Sequence, residues 1–213
     1  MADIHLASRN PKKLEELQRI LDEHLPQVRI LGLDDVPGYE EPVEDQPTFA
    51  GNALLKARAG AAATGLPTLA DDSGLCVDAL NGMPGVLSAR WSGPPKSDRR
   101  NNELLLAQLV DVPDERRGAH FMCAVACALP DGRELVVEGR MDGRVIREMR
   151  GTGGFGYDVL FEAVEQPGRT TAELSVAEKD AISHRGRALR AIAPQLATLL
   201  AGADAAYSQD QES

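Results

Sequence analysis

Leu69-Ala70-Asp71-Asp72-Ser73-Gly74-Leu75 places two adjacent carboxylates at the end of a short apolar segment, with a small hydroxyl and a glycine directly behind them. Side chains alternate along an extended chain, so Asp71 and Asp72 point to different sides. One can face a cleft and hold a metal ion or a water while its neighbour braces the backbone. Gly74 permits a tight turn or the close approach of a ligand. On this stretch alone a second reading is open, a strand that stops in a solvated Asp-Asp-Ser-Gly turn.

Outward from that segment, strand and helix patterns alternate. Residues 3–7 read as a short strand, and Lys12 to about Leu25 as an amphipathic helix with Leu14, Leu17, Ile20 and Leu21 on one face. Asn10 suits its N-cap and Pro11 its first position. A strand near Val28–Leu33 leads into an acidic, Pro-rich loop from Asp34 to Pro47. Thr48 caps an Ala-rich helix through Thr64, ended by Gly65 and Pro67. After the Asp-Asp strand comes a turn-rich stretch, 81–97, and a helix from Asp98 to about Val110. Phe121–Leu129 and Glu134–Gly139 flank the hairpin signal Pro130-Asp131-Gly132. A further turn at Asp142-Gly143 leads into Arg144–Met149, which predicts an antiparallel meander, and Val159–Phe161 reads as a strand. Ser175 and Glu178 form a capping box, and Ser183 caps a last helix with Leu189, Ile192, Leu196 and Leu199 as its buried stripe. The pattern predicts one α/β domain over residues 1–202, with 203–213 as a disordered polar tail.

Composition narrows the class of function. The chain has 213 residues, 43% hydrophobic and 26% charged, the balance of a soluble globular protein. No apolar run approaches the ~18–20 residues that span a bilayer. Met1-Ala2-Asp3-Ile4-His5 lacks the basic region and apolar core of a signal peptide, so a cytoplasmic location and no membrane partner are expected. Cys76, Cys123 and Cys127 form no Cys-x-x-Cys pair and suggest neither a disulfide framework nor a zinc site. A net charge of −10 argues against a nucleic-acid surface. An anionic substrate therefore needs a local cationic pocket or a metal. Only 5 of the 23 basic residues are lysines, and Lys12, Lys13, Lys56 and Lys179 all fall in the segments that carry chemistry.

Five such segments stand out. Ser8-Arg9-Asn10-Pro11-Lys12-Lys13, at a strand-to-helix turn, makes a phosphate cradle: backbone N–H groups at a helix start attract anions, and the lysines add charge that does not serve the helix dipole. Asn52 and Lys56 share a helix face four residues apart. Glu44 in the acidic loop, with Asp72, offers the hard oxygens that Mg²⁺ prefers. Gly151-Thr152-Gly153-Gly154-Phe155-Gly156-Tyr157-Asp158 is glycine-dense around two aromatics and an acid, so Phe155 can stack on a planar ligand and Asp158 can accept from a ring N–H. Ser183-His184-Arg185, at a helix start, can donate to a ring carbonyl or a phosphate. Each segment also has a plain structural reading, as a solvated helix end, a solvated acidic loop, or core anchors in the case of Phe155 and Tyr157. Together they describe a nucleotide hydrolase.

S-R-N-P-K-K at 8–13, T-F-A-G-N-A-L-L-K-A-R-A at 48–59, G-L-P-T-L-A-D-D-S-G-L at 65–75, P-G-V-L-S-A-R-W-S-G at 84–93, F-G-Y-D at 155–158 and A-E-K-D-A-I-S-H-R-G-R-A-L at 177–189 occur in order over nearly the whole chain. In these motifs the chain resembles the inosine triphosphatase family of pyrophosphatases for noncanonical purine nucleotides. The resemblance implies an elongated mixed β-sheet with flanking helices forming two lobes around a deep cleft, usually as a homodimer. It implies Mg²⁺-dependent hydrolysis of ITP, dITP and XTP to the monophosphate and pyrophosphate. By motif position Asp72 is the metal-linked general base and Glu44 a metal ligand. Ser8, Arg9, Asn10, Pro11, Lys12, Lys13, Lys56 and Ser73 hold the phosphates. Phe155, Gly156, Tyr157, Asp158, Lys179, His184 and Arg185 enclose and read the base. Two positions depart from the pattern: Gly51 stands where Glu is frequent, which removes a carboxylate from any second metal site, and Asp180 stands where Asn is frequent. Two other readings remain, a pyrophosphatase for modified pyrimidine or ordinary nucleotides and a non-catalytic nucleotide sensor. Asp72, Glu44, Lys13 and Lys56, all present, argue against the sensor.

Overall fold

The computed structural model describes residues 2–8, 11–22 and 26–210; it does not describe the side chains of residues 2, 11–13, 16 and 201–210. In chain order the elements are β1 (Ala2–Leu6), α1 (Pro11–Asp22), β2 (Val28–Leu31), α2 (Phe49–Thr64), β3 (Thr68–Val77), α3 (Asp98–Gln108), β4 (Gly118–Ala128), β5 (Glu134–Val145), β6 (Phe161–Ala163), α4 (Val176–Ile182) and α5 (His184–Asp210). The helix limits follow from the capping residues. The Thr48 hydroxyl accepts from the Gly51 N–H at 3.0 Å, and Gly65, in the left-handed region at φ 68°, closes α2. Ser175 and Glu178 cap α4 reciprocally, and the Ser183 hydroxyl accepts from the Gly186 N–H at 3.0 Å at the start of α5. Asn10 lies outside the described residues.

The strands form one mixed sheet in the order β2-β1-β3-β4-β5-β6. β1 runs parallel to β2 and β3, while β3, β4, β5 and β6 are successively antiparallel. Helices flank this sheet, which agrees with the predicted α/β class. Neither the alternative turn at Asp71-Asp72-Ser73-Gly74 nor the predicted turn at Asp142-Gly143 is a turn. β3 does not stop at Asp71-Asp72 but continues to Val77, in unbroken register with β4 from Thr68↔Ala128 to Val77↔Ala119. The apolar alternation resumes at Leu75 and Val77, and a long antiparallel partner carries the carboxylates inside the ladder. Gly74 makes a close approach of chain on chain: a Cβ there would strike the Ser88 hydroxyl and lie 2.5 Å from the Gly85 carbonyl oxygen. Asp142-Gly143 likewise lies inside β5, where Gly143 lets β6 pack against it. The third strand of the meander is therefore β6 rather than Arg144–Met149.

Period-2 alternation divides the core. Even-numbered side chains of β3 and β4 (Ala70, Ala124, Ala126, Ala128) face Ala53, Ala57 and Ala61 of α2, small against small, so that helix and sheet approach closely. On the other face, Leu69, Cys123, Val125 and Cys127 pack under α1 and α5 against Leu17, Leu21, Leu189, Ile192 and Leu196. Further along that same face, Leu75, Val77, Phe121 and Met141 pack with Leu105, Leu109, Leu160 and Phe161. Each fully buried Leu or Phe contributes about 1.5–3 kcal/mol. Burial pushes the Cys127 thiol up to about 12, so it serves as an apolar core group. No helix among the described residues is long and apolar enough to cross a membrane. Of the predicted tail 203–213, residues 203–210 continue the α5 backbone and 211–213 lie outside the described residues.

The first turn of α5 is fitted directly onto β5 at Gly139, where a Cβ would collide with the His184 carbonyl oxygen and lie 2.6 Å from the Ala188 nitrogen. Gly139→Ala is expected to destabilise the protein by roughly 1–3 kcal/mol, the usual cost of overpacking. A thermal or denaturant midpoint equal to that of the wild type would show that α5 does not seat here as described.

Candidate active site

β1 is short, and its end opens the site. Beyond Leu6 the edge of β3 that faced β1 has no strand beside it, so its backbone groups need other partners. The Ala7 N–H donates to the Leu69 carbonyl at 2.9 Å. The Lys56 ammonium donates to the Asp71 carbonyl at 2.7 Å. The Ser73 N–H donates to its neighbour's Asp72 Oδ1 at 2.9 Å, and the Leu75 N–H donates to the Ser88 hydroxyl at 2.9 Å. Side chains thus hold an exposed strand edge over residues 71–75, between the end of β1 and the segment Gly85–Arg90.

Asp72 points to the α2 face. Its Oδ2 accepts from Asn52 Nδ2 at 2.9 Å, and Asn52, fully buried, accepts in turn from the Gln46 N–H at 3.0 Å. Lys56, one turn along α2, donates to Glu44 Oε1 at 2.7 Å. The α2 pair Asn52 and Lys56 therefore ties the acidic loop to the Asp-Asp strand at two points. Arg90 adds a third, donating to the Glu44 carbonyl at 3.0 Å. Burial pushes the Asp72 carboxyl above the usual carboxylate range; the Asn52 hydrogen bond and the Lys56 charge pull the other way, and the Glu44 charge pushes it further up.

Asp71 points to the opposite face, as strand alternation requires. It is buried, and its Oδ2 accepts from Arg185 Nε at 3.3 Å. Arg185 also approaches the Ser73 hydroxyl at 3.4 Å, and its guanidinium carbon lies 6.0 Å from the centre of the Phe155 ring. The Lys179 ammonium lies 5.1 Å from the same ring. Phe155 itself is 60% exposed, which is unusual for a phenylalanine and leaves its ring to a ligand. His184, next to Arg185, stacks on Phe121 with ring centres 4.9 Å apart.

Two members of the predicted base-binding set are fully engaged by protein. Tyr157 is buried in the core and donates to the Ser88 carbonyl at 3.0 Å, and burial raises its phenol well above the ordinary value. Asp158 is 4% exposed: its carboxylate accepts from the Phe155 N–H at 2.8 Å, from the Thr171 hydroxyl at 2.8 Å and from Lys179. It shapes the loop that presents Phe155. Gly156, at φ 60°, supplies the turn, and its carbonyl accepts from Asn102 at 2.8 Å.

At the cradle, Ser8 follows β1 at the carboxyl end of the parallel strands, and the backbone of α1 begins at Pro11. Arg9 and Asn10 lie outside the described residues, as do the side chains of Pro11, Lys12 and Lys13. The chain turns from β1 toward β2 and then crosses back to β3, which makes this end a topological switch point, where ligands bind in open α/β sheets. Motif reading gave no role to Ser88 and Arg90, although both lie in the 84–93 motif, and it did not include Thr171 or Phe121. No spacing signal shows what these four side chains hold, because their partners lie elsewhere along the chain. At the two departures, Gly51 lies tight against Gln46, with a Cβ position 2.8 Å from that side chain, and Asp180 pairs with Arg19 at 3.1 Å.

With this geometry in place, comparison with known proteins is specific. The model of the Ham1 family matches residues 4–195. The chain belongs to the Ham1 family. A dITP/XTP pyrophosphatase of Nocardia farcinica is 62% identical over 201 residues, which cover 93% of this chain and 97% of that one. The crystal structure of a nucleoside-triphosphatase / dITP/XTP pyrophosphatase from Mycobacterium abscessus superposes with a TM-score of 0.77 at 57% identity, covering 90% and 99% of the two chains. A HAM1 protein from Coxiella burnetii superposes with a TM-score of 0.85 at 40% identity, covering 93% and 100%. The family resemblance carried by the six motifs is thereby borne out, and with it the α/β fold of Ham1 proteins.

Proposed function

We propose that this Ham1-family protein hydrolyses noncanonical purine nucleoside triphosphates (ITP, dITP and XTP) to the monophosphate and pyrophosphate, removing them from the nucleotide pool. The observation that carries the reading is the division of the site across the open edge of β3. On one face lies an exposed aromatic ring with two cations near it, Phe155 with Lys179 and Arg185. On the other lies a carboxylate pair with a lysine between them, Asp72, Lys56 and Glu44. A purine fits the first and a polyphosphate the second. The relatives named as dITP/XTP pyrophosphatases support dITP and XTP among these substrates.

Glu44 and Asp72 fit Mg²⁺ as a donor set: both are hard oxygen ligands, and Asp72 is a half-buried carboxylate whose charged form a cation would favour. No group of three or more His, Cys, Asp or Glu that could hold a metal occurs among the described residues, and two carboxylates suffice for an ion that keeps waters and takes substrate phosphate oxygens. Bound there, the ion would neutralise phosphate charge. Asp72 accepts the proton of the attacking water, and Asn52 keeps its carboxylate aimed. Lys56 donates to a phosphoryl oxygen or holds Glu44 in place for it. The reading carries with it a homodimer acting in the cytoplasm.

The purine edge is read by donors. A 6-oxo purine offers a carbonyl where adenine offers an amine, and Arg185 donates to that carbonyl. Arg185→Ala is expected to lower kcat/KM for ITP by about 1–3 kcal/mol, the scale of a charge-assisted hydrogen bond, and that for ATP much less. Equal losses on both substrates would make Arg185 a phosphate-binding or structural residue. The reaction itself is tested by product analysis with Mg²⁺ and ITP. IMP and pyrophosphate formed in one step support the proposal, and IDP with orthophosphate as first products would remove it.

A further inference from the structure

Residue 71 is gripped from both ends of the site. Its main-chain carbonyl accepts from Lys56 at 2.7 Å, on the phosphate side. Its carboxylate, 8% exposed, accepts from Arg185 Nε at 3.3 Å, on the base side. The Arg185 side chain is itself only 12% exposed, although it reaches toward an exposed Phe155 ring. An arginine side chain has several rotatable bonds, and holding it in one pose has an entropic cost that a buried carboxylate can offset. Nε is the nitrogen whose pairing fixes the plane of the guanidinium, so the partner at Nε sets where the two terminal nitrogens point. Ser73, two residues along the same strand face, steadies one of these at 3.4 Å.

We infer that Asp71 is a positioning and specificity-determining residue: its buried carboxylate orients Arg185 for the base, while its carbonyl keeps Lys56 in register with the phosphates. This rests on the reading of Arg185 as the residue that meets the purine. Asp71 does not touch substrate; it acts through Arg185, and the short β3 span from 71 to 73 makes base position and phosphate position one rigid measurement. A nucleotide whose base does not engage the oriented guanidinium is then also misplaced along the strand edge. Discrimination between 6-oxo and 6-amino purines, rather than turnover alone, is what Asp71 controls.

A double-mutant cycle tests this on the full-length protein with Mg²⁺, reading kcat/KM for ITP and for ATP from Asp71→Asn, Arg185→Ala and the double variant. Asp71→Asn keeps the volume and one acceptor oxygen, and circular dichroism with a thermal midpoint checks that it folds. The expected result is a fall in the ITP/ATP ratio of roughly 5–50-fold, carried mainly by KM for ITP, with the double variant no worse in that ratio than Arg185→Ala alone. A ratio that stays at the wild-type value in Asp71→Asn, or effects that multiply in the double variant, would overturn the inference while leaving Arg185 as base reader. A ratio unchanged in Arg185→Ala would instead overturn the underlying reading and the inference with it. Should Asp71→Asn fail to fold, Asp71→Glu is the second variant. It keeps the charge but moves the guanidinium by one methylene, and a ratio unchanged from wild type would equally overturn the inference.

Discussion

Asp72→Asn is expected to lower kcat by roughly 10²–10⁴-fold, the range for loss of a general base. The residue is inside the β3–β4 ladder, so its side chain is placed by the backbone pairing with β4 along the strand before and after it, and the substitution should leave the strand intact. An amide in its place can still accept from Asn52 or from the Ser73 N–H, but it cannot take a proton from water. Because burial holds the Asp72 carboxyl above the usual carboxylate range, the wild type should lose activity as pH falls through that raised value. The linkage to stability has a defined sign. The folded protein binds this proton more tightly than the unfolded chain, so the contribution is fully present below the unfolded-state value and is lost as pH rises through the folded-state value. A folded Asp72→Asn variant releasing pyrophosphate at close to the wild-type rate would end the assignment.

Lys56→Met is expected to lower kcat by about 10²–10³-fold, the scale for removing one preorganised donor from a developing oxyanion. Methionine keeps most of the apolar stem, so the loss reports the ammonium group and its two anchors, Glu44 and the Asp71 carbonyl. A second readout separates charge from shape. The Lys56 charge lowers the Asp72 pKa and the Glu44 charge raises it. The acid limb of the kcat/KM profile should therefore move to higher pH in Lys56→Met and to lower pH in Glu44→Gln. A limb that stays in place in both variants would mean that Asp72 is not the group titrating there.

Much of the architecture was legible because the local signals are strong. Thr48 and Gly65 bound α2 by side-chain capping and by a left-handed glycine, both properties of single residues. The Pro130-Asp131-Gly132 turn joins β4 and β5 as its composition demands. The predicted turn at Asp142-Gly143 and the alternative one at Asp71–Gly74 fail for one cause. Asp71-Asp72-Ser73-Gly74 and Asp142-Gly143 have turn composition, yet each lies within a long strand, because an antiparallel neighbour supplies a full ladder and another segment needs the glycine's missing side chain. Turn propensity is a local preference of a few tenths of a kcal/mol to about one, and a ladder of backbone hydrogen bonds outweighs it.

The sequence by itself determined the family, the α/β class and the set of residue types at the site, since six ordered motifs and the alternation rule survive any detail of packing. Alternation alone put Asp71 and Asp72 on opposite faces. Only the tertiary structure decided what each face meets: Asn52 and Lys56 of α2 for one carboxylate, Arg185 of α5 for the other, from a point 114 residues away along the chain. It also decided that Asp158 is a buried loop anchor and Phe155 an exposed platform, though both stand in the same glycine-rich run. The physical reason is that a side chain's role depends on its partners. Partners brought together by chain crossings, such as Thr171 with Asp158 or Ser88 with Tyr157, leave no periodicity or spacing in the sequence to be read.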